Sequence, residues 1–112
     1  MNARKETLLW VADRASAAVL AVCVLVHLVT IIYAVRAGLS AAEILGRTRG
    51  NLAWLVFYTV FVVAVAVHAP IGLRSVLSEW ARWRDKSRDA VLLVFSLVLL
   101  AMGMRAVLVV FA

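Results

Sequence analysis

Residues 50–73 read GNLAWLVFYTVFVVAVAVHAPIGL, 24 consecutive positions without a charged side chain between Arg49 and Arg74. About 20 apolar residues cross the hydrocarbon core of a bilayer as a helix, so this stretch predicts a membrane span. Upstream, residues 15–35 form a second block of 21 uncharged positions between Arg14 and Arg36. Downstream, residues 90–104 add 15 more, and the apolar run resumes after Arg105 to Ala112. That third block reaches spanning length if Arg105 is carried near one end, where its long side chain snorkels to the interface or meets a buried anion. The sequence therefore predicts an all-α integral membrane protein. A single domain over 1–112 is expected, an up-down-up bundle with spans near 15–35, 51–73 and 90–111.

Composition agrees. Of 112 residues, 66% are hydrophobic and 16% charged, whereas a soluble domain stays nearer half apolar because its surface must face water. The net charge of +6 does not point to nucleic acid, since the basic residues flank apolar stretches without aromatic-basic interleaving. Lys and Arg number eight in the N-terminal segment and the second connection together, against three in the first connection. That bias orients the N-terminus toward the cytoplasm and the C-terminus toward the periplasm of a bacterial inner membrane. The first span is expected to be retained, because Arg36 stands where a signal peptide would carry small cleavage-site residues. Gly38-Leu39-Ser40 reads as a helix stop followed by a cap, with Ala41-Ala42-Glu43 opening a short interfacial helix. Residues 78–88 carry Trp80 and Trp83 among charges, as expected at headgroup level. Cys23, alone of its kind and mid-span, reads as a buried structural thiol.

The two histidines of the protein both lie inside apolar runs, His27 in the first span and His68 in the second. An ionisable group in hydrocarbon is costly and calls for a function. Neutral imidazole is a good haem-iron ligand because it donates without bringing charge into the membrane. Zinc fits poorly, with no cysteine or carboxylate at ligand spacing. His27 lies 13 residues beyond Arg14 and His68 six before Arg74. On helical rise their depths differ by about 10 Å, which suits one ligand to each of two haems better than two ligands to one. Pro70 removes a backbone donor near His68 and frees a carbonyl. Gly72 permits close approach of a helix or flat ring, and Arg74 stands where a haem propionate or headgroups could be met.

The run His68-Ala69-Pro70-Ile71-Gly72-Leu73-Arg74, with Glu79 beyond it, resembles the H-x-x-x-G-x-R…D motif of the cytochrome b subunits of succinate dehydrogenase and fumarate reductase. Arg14-Ala15-Ser16 is similar to that family's R-x-S-G element. The resemblance implies that His68 ligates haem b, that Arg14 and Ser16 line a quinone site, and that Arg74 lies near haem propionates. In di-haem members a first-span histidine, matched here by His27, ligates the outer haem. Glu43, Tyr33 and Arg105 then become candidates at the outer end. The sequence departs from the pattern at Asp13 (often histidine), Trp10 (serine), Ala17 (glycine), Ser75 (histidine) and Glu79 (aspartate).

On this reading the chain is an electron-transfer anchor holding one or two haems with a second membrane subunit. Iron–sulfur and flavoprotein subunits would dock at the cytoplasmic face, with membrane quinone as substrate. It carries no flavin fingerprint or cluster cysteines, so dicarboxylate chemistry belongs elsewhere. Two other classes are a haem-free anchor or assembly protein and a small dimeric transporter. The latter lacks an intramembrane acid to couple ion movement.

Overall fold

The computed structural model describes residues 3–112, and its elements are four helices: α1 (Ala3–Arg36), α2 (Ala41–Thr48), α3 (Leu52–Trp80) and α4 (Lys86–Phe111). Three of them, α1, α3 and α4, are long and apolar enough to cross a membrane. These segments are rich in valine, a residue with modest helix propensity. In hydrocarbon the backbone must satisfy its own hydrogen bonds, and a continuous helix does so whatever the propensity. The molecule measures 50 × 24 × 22 Å. Helix α3 is central, packed on α1 along one side and α4 along the other, while α1 and α4 scarcely touch.

Helix α1 shows how one face of an all-apolar helix is chosen. Beside Ala12 and Ala17, its covered positions run through Leu9, Asp13, Ser16, Leu20, Cys23, His27, Thr30 and Ala34. The spacing alternates four and three, which is the seam of a left-handed helix pair. Five of those eight residues are polar or sulfur-bearing, and Cys23 is buried as expected. Val22, Leu25, Val29 and Val35 are exposed, and lipid or partner helices must cover them.

The turns follow their predicted chemistry. Gly38 adopts φ 65°, its N–H reaches the Val35 carbonyl (3.2 Å) and the Leu39 N–H reaches Ala34 (3.0 Å), the paired bonds of a Schellman stop. Ser40 and Glu43 then form a reciprocal capping box on α2 (3.2 and 3.3 Å). The α2–α3 turn caps α4 from outside. Thr48 Oγ1 donates to the Val110 carbonyl and the Gly50 N–H to that of Phe111, each at 2.9 Å. Both would otherwise be orphan carbonyls of a helix end.

Pro70 stands buried within α3, which continues through it. Proline cannot donate to the carbonyl four residues back, that of Ala66. Ser96 Oγ of α4 donates to it instead, at 2.7 Å. Ser96→Ala is expected to cost about 0.5–1.5 kcal/mol, since the freed carbonyl then has no donor. In a Pro70→Ala background that cost should vanish, because the backbone donor returns. A double-mutant cycle on thermal unfolding in detergent checks this, and equal costs in both backgrounds would contradict it.

At the opposite end, α3 runs to Trp80 and α4 begins at Lys86, so only residues 81–85 connect them. Trp80 is 84% exposed. Asp85 caps α4 through the N–H groups of Ser87 (3.0 Å) and Arg88 (3.4 Å), and accepts from the Trp83 indole (2.9 Å) and the Ser87 hydroxyl. The Ser87 and Trp83 bonds hold its carboxyl below the ordinary carboxylate range. A depressed folded pKa means the cap stabilises above about pH 4 and is lost as pH falls through the lower folded value. Asp85→Asn caps without titrating, so its thermal stability should fall less steeply below about pH 4 than that of the parent. Parallel curves would refute the assignment.

Candidate functional site

His68 on α3 faces the α1 seam. Its Nδ1 lies 3.3 Å from Asp13 Oδ1 and 3.3 Å from Ser16 Oγ. Asp13 and Ser16 are three apart and so share a helix face, and the Ser16 hydroxyl donates to the Asp13 backbone carbonyl at 3.0 Å. A carboxylate only accepts. Neutral His68 therefore carries its proton on Nδ1, and its Nε2 keeps a lone pair. Among the described residues that nitrogen has no partner, and the side chain is 38% exposed.

His27 on α1 is held by a different group. Its Nδ1 lies 3.2 Å from the Tyr58 hydroxyl of α3, with the Tyr58 and Phe61 rings edge-on at 5.6 and 5.7 Å. Thr30 donates to the His27 carbonyl at 2.7 Å. His27 lines an apolar cavity of about 590 Å³ between α3 and α4, roofed by Ile44 and Leu45 of α2. Cofactor clefts run roughly 300–1,000 Å³. Gly103 makes room for this packing: a Cβ there would lie 2.5 Å from Val62 Cγ1.

Tyr58 and His68 are ten residues apart on α3, about 15 Å of helix, and Ser16 and His27 are separated by about 16 Å on α1. The two imidazoles thus occupy opposite halves of the molecule. The separation exceeds the about 10 Å expected from the span boundaries, because each ring is fixed by a partner across the helix pair. Metal–imidazole bonds are about 2 Å long, so one ion cannot hold both rings. No group of three or more His, Cys, Asp or Glu among the described residues could hold a metal ion. Each histidine offers a single nitrogen beside apolar surface, a donor set that fits a planar macrocycle supplying the other ligands.

Arg74 closes the end that carries the N-terminus and the α3–α4 connection. Its guanidinium contacts Glu6 of α1 at 3.4 Å and Asp89 of α4 at 3.8 Å, so one residue ties three helices. Arg88, buried, pairs with Asp89 at 2.8 Å and donates to Ser78.

Residues 1–109 match the model of the family described as succinate dehydrogenase/fumarate reductase transmembrane subunit. The chain belongs to that family. Neither a curated protein nor a solved structure matches it.

Within this family framework the structure divides the residues that the sequence put together. Ser16 is buried beside His68, whereas Arg14, two positions away and so about 200° around the helix, is exposed with its guanidinium 5.6 Å from the Trp10 ring centre. They do not form one site within this chain. Gly72 has nothing within 4 Å of its Cβ position, leaving that face open to a neighbour outside the chain. Glu43 is engaged in the α2 capping box, Tyr33 lies 5.4 Å under the Arg47 guanidinium, and Arg105 is exposed on α4. Two site residues went unrecognised in the sequence. Asp13 registered only as a departure from the family pattern, and Tyr58 was not singled out. The four-three spacing of polar positions on α1 was the available signal for Asp13. None marked Tyr58.

Proposed function

We propose that this transmembrane subunit would hold haem b through His68 Nε2, in a site completed by a second membrane anchor subunit. It would thereby pass electrons between a peripheral iron–sulfur subunit and membrane quinone. The observation that carries the reading is the contact behind His68: Asp13 Oδ1 accepts from Nδ1–H, which leaves the Nε2 lone pair free within an apolar span. When bound, haem supplies a one-electron relay between the iron–sulfur subunit and quinone.

His27 is the ligand we assign to a second, outer haem. With its Nδ1 engaged by the Tyr58 hydroxyl, its Nε2 would be the ligating nitrogen beside the cavity. Arg74, between the two inner-end carboxylates, is the cation nearest to His68 along α3 and is assigned to the inner propionates. Arg14, exposed, is placed to polarise a quinone carbonyl at a face completed by another subunit. Ser16 stays with His68, its proton already given to the Asp13 carbonyl. The flavoprotein subunit, which carries the dicarboxylate chemistry, would dock with the iron–sulfur subunit on the side bearing the N-terminus and the α3–α4 connection. The excess of Lys and Arg there supports a cytoplasmic placement of this side in a bacterial inner membrane. Residues 1–112 act as a single membrane domain in this scheme.

Pyridine haemochrome analysis of the purified complex tests the reading. One or two haem b per complex is expected. A complex of full subunit composition without haem would leave a haem-free anchor in its place.

A further inference from the structure

We propose that Asp13 is a positioning residue that acts through His68, fixing it as an electron-rich ligand and holding down the ferric/ferrous potential of the inner haem. The inference rests on haem ligation by His68 and asks what the atoms behind that ligand do to it.

The geometry is specific. Asp13 Oδ1 and His68 Nδ1 are 3.3 Å apart, and no arginine or lysine among the described residues pairs with Asp13. The adjacent Arg14 has its guanidinium over Trp10. The carboxylate charge is therefore directed at the imidazole and not neutralised by a neighbour. Ser16, which could have donated to Asp13's carboxylate and dispersed that charge, gives its proton to the backbone carbonyl. An imidazole N–H bonded to a carboxylate is a more basic ligand. More electron donation stabilises ferric over ferrous iron, and the fixed negative charge acts in the same direction. His27 differs at this point, since a neutral phenol stands behind it where His68 has a carboxylate.

Asp13→Asn separates charge from shape, because the amide oxygen still accepts from Nδ1–H. In the assembled complex this variant should keep its haem content by pyridine haemochrome. In a redox titration of the haem α-band, the midpoint should move upward by about tenfold in the oxidised-to-reduced ratio, the lower end for outer-shell groups. For a one-electron couple tenfold is about 59 mV. Asp13→Glu should return the midpoint toward the parent value. Loss of haem in Asp13→Asn, with haem and parental potential kept in Asp13→Glu, also supports the proposal. Retained haem with an unmoved midpoint overturns it, and so does loss of haem from both variants in a complex of normal subunit content. Absence of haem from the parent complex defeats the haem assignment itself, a result distinct from an unresponsive potential.

Discussion

His68→Ala is expected to remove one full haem equivalent, the inner one, from the assembled complex. No other nitrogen of the chain can take its place: His27 lies about 15 Å away along the helices and is held by Tyr58. At that distance and with no shared partner the two sites should behave independently. Pyridine haemochrome should report one haem fewer for His68→Ala than for the parent, and His27→Ala should remove only the outer equivalent. The double variant should contain none. Assembly should survive, because Asp13, deprived of the His68 donor, is 35% exposed on its side chain and regains solvent or headgroup partners rather than standing as an unpaired buried charge. Subunit stoichiometry on a denaturing gel verifies that point. Unchanged haem content in His68→Ala would end the central assignment.

Gly103→Ala is expected to be the most destabilising single-methyl change in the chain. The added Cβ would lie 2.5 Å from Val62 Cγ1, 2.9 Å from Cγ2 and 3.2 Å from Val62 Cβ. A β-branched side chain in a helix has essentially one χ1 rotamer, so Val62 cannot swing aside and the helices must part. Overpacking of this kind costs about 1–3 kcal/mol. The damage extends to function, because Val62 and Gly103 both line the His27 cavity. Thermal unfolding of the complex in detergent should show the loss, with the outer haem released before the inner one. Val62→Ala combined with Gly103→Ala should recover most of the stability, since it removes both γ-methyls from the contact. No recovery would mean that the cost comes from elsewhere.

The departures from the family pattern acquire meaning only in three dimensions. As a letter, Asp13 is a mismatch; in the structure it is the group bonded to His68. Trp10 likewise replaces an expected serine, and it carries the Arg14 guanidinium one turn further along α1. Pro70 announced a freed carbonyl near His68, and in the structure it is that of Ala66. That a hydroxyl on α4 would reach it was not legible.

Although the helices run on past the apolar stretches, α1 from Ala3 and α3 to Trp80, the number of spans, the Gly38 stop, the capping of α2 and the presence of histidines in apolar runs were all determined by the sequence alone. Each depends on contiguous residues: partition into a bilayer sums over a stretch, and a cap involves neighbours three or four apart. Which way each polar side chain turns was decided by tertiary structure. The three bonds that matter join residues 52, 31 and 30 positions apart, Ser16 to His68, His27 to Tyr58 and Ala66 to Ser96. In a soluble helix an apolar stripe would have shown the inner face. Here the outward face is equally apolar, because hydrocarbon replaces water as the surroundings. Hydrophobicity therefore could not tell the faces apart, and packing of α3 between its two neighbours had to.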